Sequence, residues 1–251
     1  CYDAAAGFYG RGADIFWKNR FDWLRKTIKD TLGMAQIEVD AGFRVLDLGC
    51  GSGIASEEFL NRYPQTDQVI GVDLSPRMGN NARKVLGGKF TFRQGDYTDD
   101  SLWQAIPEKF HGVLAFYTFH WITSEKYAFV IERINEALEE RGWILGIAMG
   151  PEELGGIFRD IIPEILQIYL PPDEASSRLS QWNPRDVADV ERVFDTNRLT
   201  NTRTISLRYS IAYPTYMDLV SVILFQYNFW LAGIDPTLYP SVRGKLLQFI
   251  E

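Results

Sequence analysis

The chain has 251 residues, 46% of them hydrophobic and 24% charged, with a net charge of -7. That suits an ordinary globular core, either one large domain or a domain with a modest cap. The acidic balance argues against phosphate-backbone binding as the main task, and two cysteines (Cys1 and Cys50) provide neither a disulfide framework nor a metal-ligand spacing.

The opening "CYDAAAGFYGRGADIFW" carries acids and glycines and no long apolar core, so no signal peptide is expected, and a reducing, cytoplasmic setting fits. From about Asp14 the chain reads as a helix with Asp14 as N-cap: Trp17, Phe21, Leu24 and Ile28 fall on one stripe. Its aromatics Phe16, Trp17, Phe21 and Trp23 suit either plain cover for the core or a cap over a ligand. Strands and helices then alternate. The expected strands are Phe43–Gly49, Gln68–Ser75, Phe90–Tyr97, His111–Phe119 and Trp143–Gly150. The expected helices are Ile54–Tyr63, one from Pro76 with proline in its first turn, and Glu125–Glu140 closed by Gly142. Such alternation predicts an α/β fold with a doubly wound, mostly parallel sheet.

The segment from about Pro151 to Pro184, "IFRDIIPEILQIYLPP" included, reads as a helical insertion. "RDVADVERVFDTN" is helical, "TRTISLRYSIAYP" alternates like a sixth strand with one wet face, and "YMDLVSVILFQYNFWLAGI" reads as an aromatic-rich helix. Its most apolar run, Leu219–Phe225, is too short to span a bilayer, so no membrane partner is expected. The single domain thus divides into a cap (1–40), a cofactor-binding core (41–150) and a substrate region (151–251).

The chemistry sits at the strand ends, where open α/β sheets bind ligands. The first strand ends in "VLDLGCGSG", without the lysine of a P-loop; its G-x-G-x-G spacing lacks the sixth-position glycine of a dinucleotide loop, Ile54 standing there. Asp47 before the glycines and Asp96 after the third strand would repel a pyrophosphate and welcome a cation. S-adenosylmethionine matches each feature. Asp47 can receive its ammonium, and the glycines at 49, 51 and 53 let the main chain approach its tail. Asp73 can accept from the ribose hydroxyls and Asp96 from the adenine amine, while Leu74 and Tyr97 pack beside the ring.

Taken in order, "VLDLGCGSG", "VIGVDLSPRM", "FRQGDY" and "FYTFHWI" resemble the class I S-adenosylmethionine-dependent methyltransferases over about Phe43–Gly150. "FHWI" and the early "YDAAAGFY" further resemble the subgroup containing trans-aconitate and juvenile hormone acid methyltransferases, which act on small carboxylic acids. The resemblance implies S-adenosylmethionine as cofactor. It also implies a cofactor site of Asp47, Gly49, Cys50, Gly51, Gly53, Asp73, Leu74, Met78, Asp96, Tyr97 and Phe116, with Tyr9 from the cap. Two departures stand out: "EERGW" replaces the usual Pro-Gly-Gly before the fifth strand, and nothing after Pro214 reads as a seventh strand.

His120 follows the fourth strand and is read either as a base or carboxylate-orienting group or as a loop-packing histidine. Tyr117 either bonds substrate or closes the cofactor pocket. These two are the candidate catalytic residues, whereas His111, at the amino edge of the sheet, is read as structural. The candidate substrate wall is Trp17, Arg20, Trp121, Phe225 and Trp230, with Arg11, Tyr227 and Phe229 nearby in sequence; solvated charge and core packing are the alternatives. The leading expectation is methylation of a small molecule, O-directed, on a carboxylic acid or another small hydrophobic metabolite. A cofactor-binding regulatory module, a protein methyltransferase and an NAD-dependent oxidoreductase are the alternatives. A nucleic-acid substrate is disfavoured by the charge.

Overall fold

A computed structural model describes residues 15–106, 108–150, 157–181, 183–200, 202–206 and 234–250; the side chains of 15–21, 157–159, 236, 239, 249 and 250 fall outside it. The strands are β1 (Arg44–Leu48), β2 (Gln68–Asp73), β3 (Phe90–Gln94), β4 (Phe110–Phe116) and β5 (Leu138–Ile147), all parallel, in the order β3-β2-β1-β4-β5. The order reverses between β1 and β4, and the carboxyl ends of those two strands open the crevice where such sheets bind ligands.

Because successive side chains in a strand face opposite ways, each central strand feeds two cores. Leu46, Leu48, Ile70, Val72, Val113 and Ala115 face one cluster. There they meet Leu102 and Trp103 of α4 (Asp100–Gln104), Tyr127, Val130, Ile131 and Ile134 of α5 (Ser124–Ala137), and Val193 of α8 (Val187–Thr196). Val45, Val69, Leu114 and Phe116 face the other cluster. It contains Ile28 and Leu32 of α1 (Ile15–Met34), Phe59 of α2 (Ile54–Arg62) and Ala82 of α3 (Pro76–Leu86). Phe59 is fully buried, and burying one such ring contributes about 1.5–3 kcal/mol. The insertion forms a third core: Ile161, Ile162, Ile165 and Leu166 of α6 (Ile157–Tyr169), Ala175 of α7 (Pro172–Leu179), and Val242 and Leu246 of α9 (Tyr239–Ile250). Among the described residues, no helix is long and apolar enough to cross a membrane.

Several expected boundaries move. The third and fourth strands stop at Gln94 and Phe116, leaving "GDY" and "YTFHW" as connecting loops. The helix expected to run to Glu140 stops at Ala137, because the chain turns directly into β5 at Leu138. The "EERG" segment then bulges: Phe110 pairs with Leu138 and Gly112 with Trp143, and Arg141 absorbs the kink at φ 67°. Short α4 was not anticipated; Asp99 caps it by accepting from the Ser101 amide at 3.0 Å. Of the expected sixth strand, 202–206 are irregular backbone, and 207–214 lie outside the described residues, as do 216–233 of the aromatic helix. The Pro76 start is as expected, with Ser75 Oγ accepting from the Met78 amide at 3.2 Å.

Candidate functional site

Alternation along β1 turns Asp47 to the same face as Val45, toward α2. There Ser56 Oγ, in the first turn of α2, donates to Asp47 Oδ2 at 2.5 Å. Asp47 is 1% exposed, and burial lifts its carboxyl to about 7; the Asp73 charge adds to this and the Ser56 bond opposes it. A carboxyl so buried lies beside a second one, that of Asp73, at the start of the glycine loop.

The glycine loop that follows has positive φ at Gly49 (68°), Gly51 (51°) and Gly53 (86°). A Cβ on Gly49 would stand 2.3 Å from Thr118 Oγ1, and one on Gly53 would stand 2.8 Å from Leu86 Cδ1 and 2.9 Å from Ala82 Cβ. Gly51 has nothing within 4 Å, so the loop presents open backbone at its tip. Cys50 turns the other way. Its Sγ lies 2.9 Å from where a Gly71 Cβ would be, and burial pushes its thiol well above the usual range. The Cys50 side chain thus fills the core, and its main chain is the part left to line the loop.

Asp73 ends β2. Its Oδ2 accepts from the Gly51 amide at 2.9 Å and its Oδ1 from the Ser75 amide at 2.8 Å, which fixes the carboxylate plane beside the loop tip. Leu74, immediately after it, is 53% exposed. Met78 and Phe116 are buried in the walls. Asp96 Oδ1 accepts from the amide and hydroxyl of Thr98, both at 2.8 Å. The Tyr97 hydroxyl is 2.8 Å from Thr118 Oγ1, and burial pushes the phenol above its usual range. Trp103 Nε1 holds the Tyr97 carbonyl at 2.9 Å.

The segment after β4 crosses from this loop to the cap and the insertion. Tyr117 has φ 56°, a strained value for a non-glycine residue, and its hydroxyl is 2.8 Å from Thr27 Oγ1 on α1. Thr27 Oγ1 is also 2.9 Å from the Leu24 carbonyl, which only accepts, so the phenol is the donor of the pair. Tyr117 thus reaches the cap helix. His120, in the turn Phe119–Trp121, is 2% exposed; burial, with Arg185 adding, holds its imidazole down at about 3, so it stays neutral at ordinary pH. Trp121 packs against the insertion core. His111 accepts the Arg44 amide on Nδ1 at 3.1 Å and stacks on Phe43 at 4.5 Å, in keeping with its structural reading. Tyr9, Phe225 and Trp230 lie outside the described residues, as do the side chains of Trp17 and Arg20.

Sequence reasoning missed Ser56, Thr118, Thr27 and Arg185. Each acts on a motif residue from elsewhere in the fold, so no local spacing announces it. The groups present fit S-adenosylmethionine on two structural observations: the buried carboxyl of Asp47 beside open backbone at Gly51, and exposed Leu74 next to the fixed carboxylate of Asp73.

Residues 45–142 match the family model described as a methyltransferase domain. Malonyl-[acyl-carrier protein] O-methyltransferase 2 of Ilyobacter polytropus is 25% identical over 161 residues, covering 62% of this chain and 59% of that protein. Juvenile hormone acid O-methyltransferase of Bombyx mori is 31% identical over 126 residues, covering 48% and 43%. The chain thus spans about half the length of these relatives. An O-methyltransferase family protein from Burkholderia thailandensis has a similar fold, with TM-score 0.54, 17% identity, and coverage of 73% of this chain and 52% of that one. The matched residues run from β1 into β5 and carry the loop, Asp73 and His120, so this part of the chain is similar to a methyltransferase domain.

Proposed function

We propose that the protein binds S-adenosylmethionine and directs methyl transfer to a carboxylate oxygen of a small organic acid. When bound, the cofactor supplies a methyl group on a sulfonium, open to in-line displacement. Asp47 and the open backbone at Gly51 hold its amino-acid tail, Asp73 takes the ribose hydroxyls, and Leu74 and Asp96 lie to the adenine side.

The observation that carries the acceptor class is the burial of His120, 2% exposed in the turn Phe119–Trp121 that follows β4. An imidazole held at about 3 is a poor base for an alcohol or phenol near neutral pH, but it remains a hydrogen-bond donor. A carboxylate needs no proton removed. It needs orientation and partial loss of water, which a buried neutral donor beside Trp121 supplies. Holding the reacting groups in place accounts for roughly 7–11 kcal/mol in favourable cases. The two relatives above support the reading: both names specify an O-methyltransferase, one for juvenile hormone acid and one for malonyl-[acyl-carrier protein].

The test is incubation with labelled S-adenosylmethionine and a panel of carboxylic acids, alcohols and phenols, with methylated products read by mass spectrometry at several pH values. Methyl esters formed, at saturating cofactor, with a flat rate from pH 6 to 9 are expected. Transfer to alcohols or phenols alone, with a rate that rises through an ionisation near neutrality, overturns the reading.

A further inference from the structure

The turn carrying His120 is held from one side by a short stretch of chain that leaves the insertion. Asn183 donates its amide to the His120 carbonyl at 2.9 Å, and the Arg185 amide donates to the Met149 carbonyl at 2.9 Å. The Arg185 guanidinium then enters the protein, with its side chain 3% exposed. Its Nε donates to the Phe119 carbonyl at 3.5 Å and its Nη2 to the Ile122 carbonyl. Its Nη1 meets Asp189 Oδ2 at 3.3 Å, and its central carbon lies 4.1 Å from the centroid of the Tyr127 ring. The carbonyls of Phe119, His120 and Ile122 therefore all end on Asn183 or Arg185.

A buried cation is costly unless paired and hydrogen-bonded, and removing one partner of such a set leaves the others unmet. Here two donors go to main-chain carbonyls on either side of the His120–Trp121 pair, an expensive way to anchor an ordinary surface loop. A planar fork spans two carbonyls in a way that a lysine, a point charge on a flexible stem, does not. Trp121, between the two anchored carbonyls, packs on the insertion core, so the turn is fixed from both directions.

We propose that Arg185 is the positioning residue for the acceptor side of the active site: its guanidinium fork sets the height and orientation of the His120–Trp121 turn against the methyl position. This rests on the reading that the turn faces the acceptor. Arg185 also places a fixed positive charge near the imidazole, which adds to burial in keeping it neutral. The other charged or titratable groups around the guanidinium are Asp189 on α8, and Tyr127 and Glu125 on α5.

The experiment compares Arg185→Met, Arg185→Lys and the milder Asp189→Asn with the parent protein. Cofactor affinity is read by calorimetry, acceptor kcat and KM by turnover, and the His120 ring by nitrogen NMR across pH. Arg185→Met is expected to leave cofactor affinity unchanged while kcat/KM for the acceptor falls about 100-fold, the scale of a 1 Å misplacement. Its His120 ring should begin to titrate at a higher pH than in the parent. Arg185→Lys should keep the ring neutral, because the charge remains, yet fail to restore turnover, because the fork is gone. Asp189→Asn removes only the ion pair at 3.3 Å and leaves both carbonyl bonds, so its turnover should fall less than that of Arg185→Met. Cofactor affinity falling in step with turnover, or full rescue by lysine, overturns the proposal. The NMR titration needs no acceptor, so it reports on Arg185 and His120 even if the substrate is not an acid, and the two proposals fail separately.

Discussion

Ser56 Oγ donates to Asp47 Oδ2 at 2.5 Å and so ties the first turn of α2 to the buried end of β1. The carboxyl it grips is lifted by burial, with help from Asp73, from 3.8 to about 7. Because the folded value exceeds the unfolded one, folding favours the protonated form: this contribution to stability is full below about pH 4 and is lost as the pH rises through about 7. A bound cation favours the ionised form instead. Cofactor affinity should therefore rise from pH 6 to 8 and level off above, with protons released on binding near pH 7. Calorimetry in buffers of different ionisation enthalpy measures both. Asp47→Asn should flatten the pH dependence and weaken binding about 10- to 100-fold, matching the roughly 1.5–3 kcal/mol of a hydrogen bond to a charged group. Affinity that is identical at pH 6 and 8 in the parent protein would show that no cation meets this carboxyl.

The three loop glycines should separate stability from binding. All have positive φ, which costs an alanine about 1–2 kcal/mol. Gly49→Ala also drives a methyl to 2.3 Å from Thr118 Oγ1, and Gly53→Ala drives one against Leu86 and Ala82. Gly51→Ala meets nothing within 4 Å. Thermal melts should show the smallest drop for Gly51→Ala, while its cofactor affinity falls furthest relative to its loss of stability, because only there does the added methyl enter open space rather than the protein. A Gly51→Ala protein with parental affinity would move the ligand off the loop tip.

Leu74 offers the converse case. It is 53% exposed, so Leu74→Ala should leave the unfolding free energy within about 0.5 kcal/mol of the parent, the usual range for surface changes. If Leu74 packs beside the adenine, the same change removes about 1 kcal/mol of apolar burial on binding, a loss of about five-fold in affinity. Calorimetry on the two proteins at one pH decides it. Equal affinities would place the ring elsewhere.

The elements that build the sheet were legible because each is a short apolar run between polar turns, and β1, β2 and β4 are buried on both faces. Asp47, Asp73 and the glycines were legible because a carboxylate amid an apolar strand, or glycine at alternate positions, breaks the local pattern. What stayed hidden were long-range partners. Nothing near Tyr117 in the sequence points to Thr27, 90 positions away, and nothing near His120 points to Arg185. Helix α5 was read too long because "EERG" is polar and helix-compatible in isolation. Its pairing with β4, which forces the bulge at Arg141, is a tertiary effect. That the Cys50 side chain lies over Gly71 was hidden too, because Gly71 belongs to the neighbouring strand.

The bond between Tyr117 and Thr27 gives the cap helix a role that can be measured. Thr27 is fully buried, Trp23 stands 5.8 Å from the Tyr117 ring, and between them in sequence Arg25 reaches Glu57 at 2.5 Å and Glu58 at 2.6 Å on α2. Helix α1 is therefore fastened both to the end of β4 and to the helix that starts at the glycine loop. Tyr117→Phe and Thr27→Val each remove one side of the shared bond, and a double-mutant cycle on unfolding should give a coupling of about 0.5–1.5 kcal/mol, the net worth of one such bond. Hydrogen exchange should rise along α1 in both single variants and no further in the double variant. Turnover should fall modestly in Tyr117→Phe, because its phenol is engaged with the cap rather than with the acceptor. Loss of turnover by orders of magnitude in Tyr117→Phe, with α1 exchange unchanged, would instead assign the phenol to the reacting groups and separate the cap from catalysis.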